Sequence, residues 1–155
     1  IANYDLRRND MKKYDPKRVI NGTFGELWCD DDYMAETTGL EAKVSIEKSE
    51  VNQSGTLVKG YKTTGLDLKG TLKMNKVTSY FTKKLSAKIK KGINPTFTII
   101  SKLDDPDAYG AERVKLMGVT FDEIPLANWE TKKIGEESLP FTFTDWKLID
   151  TIDKK

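Results

Sequence analysis

Leu40-Glu41-Ala42-Lys43-Val44-Ser45-Ile46-Glu47 alternates apolar and polar without a break, and Leu66-Asp67-Leu68-Lys69-Gly70-Thr71-Leu72-Lys73-Met74 repeats the pattern. A period of two marks a strand with one buried and one wet face, because successive side chains leave a pleated backbone on opposite sides. Leu40, Ala42, Val44 and Ile46 point one way and Glu41, Lys43, Ser45 and Glu47 the other. In the second run Leu66, Leu68, Gly70, Leu72 and Met74 oppose Asp67, Lys69, Thr71 and Lys73. That run spans roughly 30 Å at about 3.4 Å per residue, which is long beside the usual strand of about five or six residues. Between the two lies Asn52-Gln53-Ser54-Gly55-Thr56, followed by Lys59-Gly60. This polar segment predicts a long projecting hairpin loop.

The same reasoning extends outward. Phe24, Leu27 and Trp28 form a short strand-like run before Asp30-Asp31-Asp32, and Tyr33–Glu36 reads as its hairpin partner. The three aspartates lack the ligand spacing and the glycine of a calcium loop, so no metal site is expected. A helix is predicted over 78–91. Thr78 or Ser79 can cap it, Phe81 and Leu85 share one face with Lys88 or Ile89 completing it, and Gly92 stops it. Lys83, Lys84, Lys88, Lys90 and Lys91 make the remaining surface basic.

Pro95 opens a strand through Ile100, and Asp104–Gly110 is a turn by composition. Val114 and Leu116 alternate until Gly118, after which Val119 and Phe121 continue one position out of phase, the signature of a β-bulge. Leu139, Phe141 and Phe143 give way to Trp146 and Leu148 in the same manner, which predicts Trp146 in the core. Residues 122–137 are acidic where the helix is basic. These elements amount to about seven or eight strands and one helix. The expected class is mainly β (α+β), an antiparallel sandwich or barrel-like fold with a single packed helix.

Composition narrows the function. The chain has 155 residues, no histidine, one cysteine (Cys29) and a formal charge of +2. The length suits one domain. Residues 21–150 are expected to form it, between a charged N-terminal arm (1–20) and a polar C-terminal tail (151–155). The arm is too poor in apolar residues to order alone and is either a free tail or a segment that orders on a neighbouring subunit. A single cysteine excludes an internal disulfide framework and a thiolate metal cluster. Without histidine, Ser, Thr and Cys29 lack the commonest base. Gly65-x-x-x-x-Gly70-Thr71 lacks the lysine of a P-loop and lies within a strand. No carboxylate pair stands out, so catalysis and cofactors are not expected. The N-terminus carries no signal-peptide pattern and no apolar run suits a membrane span, which points to synthesis in a reducing cytoplasm. Long wet-faced strands with opposed basic and acidic patches favour self-association through head-to-tail contacts.

Several segments are more specific than any pattern. They are Asn21-Gly22-Thr23-Phe24-Gly25-Glu26-Leu27-Trp28, Glu41-Ala42-Lys43-Val44, Phe97 through Val114 with Asp104-Asp105-Pro106-Asp107-Ala108-Tyr109-Gly110 at its centre, Leu126-Ala127-Asn128-Trp129-Glu130, and Gly135 through Asp145. Over residues 20–150 the chain closely resembles the tail tube proteins of contractile phage tails in Gram-positive bacteria, including PBSX-like particles and headless phage-tail bacteriocins. The resemblance implies hexameric rings stacked into a hollow tube, inside a contractile sheath and between baseplate and terminator proteins. Each subunit would lend strands to a barrel around the lumen. The tube would be driven through a target envelope on sheath contraction. It would conduct DNA only where the particle carries a head, and would catalyse nothing. It would be made in the bacterial cytoplasm, assembled into a virion tail or released particle, and not inserted stably in a membrane.

Two expectations join the pattern to the resemblance. Glu41, Lys43, Ser45, Glu47, Asp67, Lys69, Thr71 and Lys73 face the lumen, and their apolar neighbours pack outward. Arg7, Arg8, Asn52, Gln53, Ser54, Lys59, Lys83, Lys84, Glu136 and Glu137 make contacts within or between rings. The alternative is a monomeric β-sandwich binding module for carbohydrate or protein, with Trp28, Trp129 and Trp146 as its platform.

Overall fold

The computed structural model describes residues 13–153. The elements are β1 (Gly25–Cys29), β2 (Asp32–Tyr33), β3 (Thr37–Val51), β4 (Gly60–Asn75), α1 (Tyr80–Lys90), β5 (Phe97–Leu103), β6 (Glu112–Phe121), β7 (Glu136–Thr142) and β8 (Asp145–Asp150). Every strand pair is antiparallel, in the order β2-β1-β5-β6-β7-β4-β3, with β8 also on β6. The mainly β, α+β reading with one helix holds. The two alternating runs are longer than their periodicity indicated, at 15 and 16 residues.

β6 joins two sheets. β7 and β8 lie one after the other along it in a common register, with Phe141 opposite Phe121, Thr142 opposite Thr120, Asp145 opposite Met117 and Trp146 opposite Leu116. β7 pairs onward with β4, whereas β8 has no further partner among the described strands. The sheet therefore forks between Thr142 and Asp145. The predicted bulge lies across from that fork. Where β5 has only Thr98 between Phe97 and Ile99, β6 has Met117 and Gly118 between their partners Val119 and Leu116. Gly118 has φ +66°, and a Cβ there would lie 2.0 Å from Thr144 Oγ1. Glycine is required on both counts.

The core fills the space between the sheets. Leu27, Cys29, Leu72, Ile99, Leu116, Val119, Leu139 and Phe141 are buried in it. α1 closes it with Phe81 and Leu85, four residues apart on one face. The Phe81 ring meets Phe121 at 4.9 Å, which meets Phe97 at 5.4 Å and Phe141 at 6.1 Å. These tilted and edge-on contacts suit the aromatic quadrupole. Gly92, at φ +79°, ends the helix, and Ile93 N donates back to Lys88 O.

Three local expectations are corrected. Ser79 occupies the N-cap position, but its side chain makes no capping bond. The first helical turn is held from outside instead, by Thr82 Oγ1 donating to Pro125 O at 2.6 Å and Tyr80 to Asp32. The partner strand expected over Tyr33–Glu36 is only Asp32–Tyr33, because the chain turns inward to bury Met34. Trp146 is not a core residue. Its phase matches Leu116, but β8 pairs only with β6 among the described strands, and the residue is 39% exposed.

Candidate functional site

The β3–β4 hairpin is the feature that most distinguishes this surface. Its register pairs Glu41 with Thr71, Lys43 with Lys69 and Ser45 with Asp67, and sets Glu47 opposite Gly65 and Lys73 opposite Gly39. All eight polar residues singled out in the sequence thus share one face. The opposite face pairs Leu40 with Leu72, Ala42 with Gly70, Val44 with Leu68 and Ile46 with Leu66. β7 widens both faces. Lys69–Thr142–Thr120 continues the polar row, with Thr120 and Thr142 hydroxyls 3.0 Å apart, while Gly70–Phe141–Phe121 continues the apolar one.

The polar face balances its charge along each strand. Lys43 and Lys69 stand directly opposite one another, a repulsive arrangement. Each is drawn to the acid two residues earlier on its own strand, Lys43 to Glu41 at 3.5 Å and Lys69 to Asp67 at 3.3 Å. Exposed pairs of this kind contribute little stability, so they set the character of the surface more than the strength of the fold.

The apolar face is only half covered. Leu40 and Leu68 pack against the core and Leu72 is buried in it. β7 ends at Thr142, so beyond Leu68 the hairpin has no third strand. Ile46 and Leu66 are consequently 56% and 55% exposed. A bulge at Thr64 then shifts the register, and the hairpin runs on to Val51 opposite Gly60. The outer edge of β3 pairs with no described strand over all 15 residues. A long unpaired edge with an apolar side is a template for another chain.

The other expected contact residues divide. Asn52, Gln53, Ser54 and Lys59 sit exposed on the hairpin tip, where Lys59 reaches Glu50 at 2.8 Å. Lys83 and Glu136 are exposed. Glu137 is not available to a neighbour, because it is buried and ion-paired with Lys76 of its own chain. Lys84 is exposed but has partners within its own chain. It lies 3.4 Å from Asp32 and 4.5 Å above the Tyr80 ring, and Tyr80 donates to the same carboxylate at 2.6 Å. These two bonds hold the Asp32 carboxyl below its ordinary range, while burial and then the bond to Asp32 push Tyr80 up to about 12. Burial also pushes the Cys29 thiol up to about 12. Arg7 and Arg8 lie outside the described residues.

One tether was not anticipated. Asp105, buried in the β5–β6 turn, accepts from Asn21 N and Asp107 N, both at 2.9 Å. Arg18 donates to Asp107 O at 3.0 Å and stacks 5.1 Å over Tyr109. The root of the arm is thereby pinned to its own subunit. The only sequence signal was the pairing of a basic arm with an aspartate-rich turn.

The tryptophan platform does not form. Trp28 aligns with Ile100, Lys115 and Lys147, whereas Trp146 aligns with Leu116, Ile99 and Cys29 in the adjacent row. Adjacent rows project from opposite faces of a sheet, so Trp28 and Trp146 cannot grip one ligand. Trp129 is on the 122–135 loop, 83% exposed.

A forked antiparallel sheet with a long two-faced hairpin and an unpaired edge belongs to a protein built for assembly. Residues 12–150 match the phage tail tube protein family, and the chain belongs to that family. It is 40% identical over 141 residues to the phage-like element PBSX protein XkdM of Bacillus subtilis (strain 168), covering 87% of this chain and 96% of the relative. A solved Bacillus subtilis protein is 39% identical with a TM-score of 0.51, over 81% of this chain and 92% of that one. The fold also matches a chain of the PVC sheath–tube complex of an extracellular contractile injection system, with a TM-score of 0.64 at 8% identity over 94% and 97% of the two chains. The chain is a structural subunit of a tail tube.

Proposed function

We propose that copies of this chain close into hexameric rings through the hairpin, and that the rings stack into a hollow, rigid conduit. The observation that carries this is the two-faced β3–β4 hairpin with its unpaired edge. A barrel wide enough for a channel must pool many strands. One copy offers four to such a wall, namely β3, β4, β7 and the end of β6. The polar row from Glu41 to Lys73 then lines the lumen, and Ile46 and Leu66 are covered by a neighbouring copy. Covering the exposed half of each is worth about 1 kcal/mol per side chain. With Glu41 and Asp67 screening Lys43 and Lys69, the wall is wet and close to neutral, so a threaded polyanion does not adhere.

The tube acts by shape and rigidity, without catalysis. It assembles from subunits made in the bacterial cytoplasm, with sheath, baseplate and terminator proteins around it. It carries DNA where the particle has a head, and on sheath contraction it is driven through the target envelope. Electron microscopy of the purified chain, followed by a density map of the assembled tube, tests the reading. Lys43 and Lys69 at the channel support it. A map with Ile46 and Leu66 facing the channel overturns the assignment, and a protein that stays monomeric under all assembly conditions overturns the tube itself.

A further inference from the structure

The long strands separate two exposed apolar patches. At one end the hairpin tip presents Leu57 fully exposed, with Val58 and Tyr61 largely so. At the other, β4 ends at Asn75 opposite Glu136, and Lys76 N donates to Gly135 O at 2.8 Å. That places the 122–135 loop beside the base of the hairpin. This loop presents Leu126 at 76%, Trp129 at 83% and Ile134 at 84% exposure. The two patches are thus separated by the length of β4, 16 residues or about 50 Å.

Their charges are opposed. Residues 48–62 carry Lys48, Lys59 and Lys62 against Glu50 alone. Residues 122–136 carry Asp122, Glu123, Glu130 and Glu136 against Lys132 and Lys133. The loop is also braced, with Thr82 gripping Pro125 and Ile124 packed on the core. It therefore offers a held surface, while the tip offers a projecting one. Two different patches at opposite ends of one molecule make a heterologous contact, and one directed along the strands propagates as a filament instead of closing.

We propose that the hairpin tip of one copy docks on the 122–135 loop of a copy in the next ring, with Leu57 and Val58 seated against Trp129 and Ile134, and with Lys59 and Lys62 near Glu123 and Glu130, the exposed pairs Lys59–Glu50 and Lys133–Glu130 within each copy exchanging on docking. The proposal rests on the tube reading and supplies its axial contact.

Paired cysteines test it in full-length chain assembled into tubes. Leu57→Cys with Ile134→Cys, and Leu57→Cys with Trp129→Cys, are oxidised and run on non-reducing gels. The buried Cys29 adds no background. At least one pair is expected to give a ladder of linked chains longer than six copies, with each single variant remaining monomeric. Tubes of normal length without a ladder from either pair overturn the docking and leave the tube reading intact, a result also expected if the tip meets sheath or terminator protein instead. Wild-type protein that forms neither rings nor tubes overturns both. As a second measurement, Lys59→Glu with Lys62→Glu is expected to shorten tubes at least tenfold, and adding Glu123→Lys with Glu130→Lys to restore length. Full-length tubes from the first variant, or no recovery in the second, overturn the proposed charge pairing.

Discussion

Gly118→Ala perturbs the point where the two sheets part. The glycine has φ +66°, and an alanine Cβ would meet Thr144 Oγ1 at 2.0 Å, its Cβ at 3.1 Å and its Cγ2 at 3.2 Å. The left-handed backbone costs an L-residue about 1–2 kcal/mol, and overpacking adds about 1–3 kcal/mol. The sum, about 2–5 kcal/mol, is a large fraction of the roughly 5–15 kcal/mol that holds a domain together. Thr144→Ala removes both Oγ1 and Cγ2 and gives up only the 3.3 Å bond to Met117 O on an exposed residue, so alone it should cost under about 1 kcal/mol. In the double variant only the backbone cost and a tight Cβ contact persist. It should be more stable than Gly118→Ala, with a coupling of about 1–3 kcal/mol. Urea unfolding at neutral pH measures this, read from midpoint shifts at constant m. Additivity within about 0.5 kcal/mol would show that Thr144 is not what excludes a side chain, and would refute the steric account of the fork.

Three further outcomes follow from the same geometry. Replacing residues 52–59 with an Asn-Gly turn should leave the unfolding midpoint within about 1 kcal/mol of wild type, as for surface changes generally, while abolishing elongation by electron microscopy; tubes of normal length would remove the tip from the axial contact. Tyr80 and Cys29, at about 12 against ordinary values of 10.0 and 9.0, hold their protons more tightly folded than unfolded. The stability they contribute is complete below the unfolded values and is lost as pH rises toward 12. Melting temperature should therefore fall from about pH 9 upward, less steeply in Tyr80→Phe, and a thiol reagent at pH 8 should label Cys29 only after urea is added. In the proposed ring, six copies lending four strands each would make a wall of about 24 strands at about 4.8 Å spacing and a 35–45° tilt, so the barrel should measure about 45–50 Å between backbones with an axial repeat of about 35–40 Å; helical reconstruction checks both values.

The two faces of the hairpin and its polar tip could be read early because they depend on local rules. A side-chain period of two splits Leu40–Glu47 and Leu66–Met74 into two faces whatever the strands pack against. A phase slip at Gly118 needs no partner to be visible, and Phe81 and Leu85 mark a helix face by spacing alone. The assignments that failed depended on distant partners. Glu137 looked like one more charge in an acidic stretch until Lys76, 61 residues away in sequence, was brought beside it. Trp146 had the phase of a core residue, but phase names a face and cannot say whether anything covers that face.

By itself, the sequence determined the alternating hairpin, its polar loop, the single helix and the kink at Gly118, and through its longer motifs the tail tube family. All of these are written in spacing and in residue identity along the chain. The tertiary structure decided how far the hairpin outruns its own core, which edge of β3 is left unpaired, and which charges are already satisfied within one copy. Those properties arise where chain segments far apart in sequence meet, or stop meeting. β7 ends at Thr142 while β3 and β4 run on, and that difference in length leaves the apolar side of an amphipathic hairpin uncovered at Ile46 and Leu66.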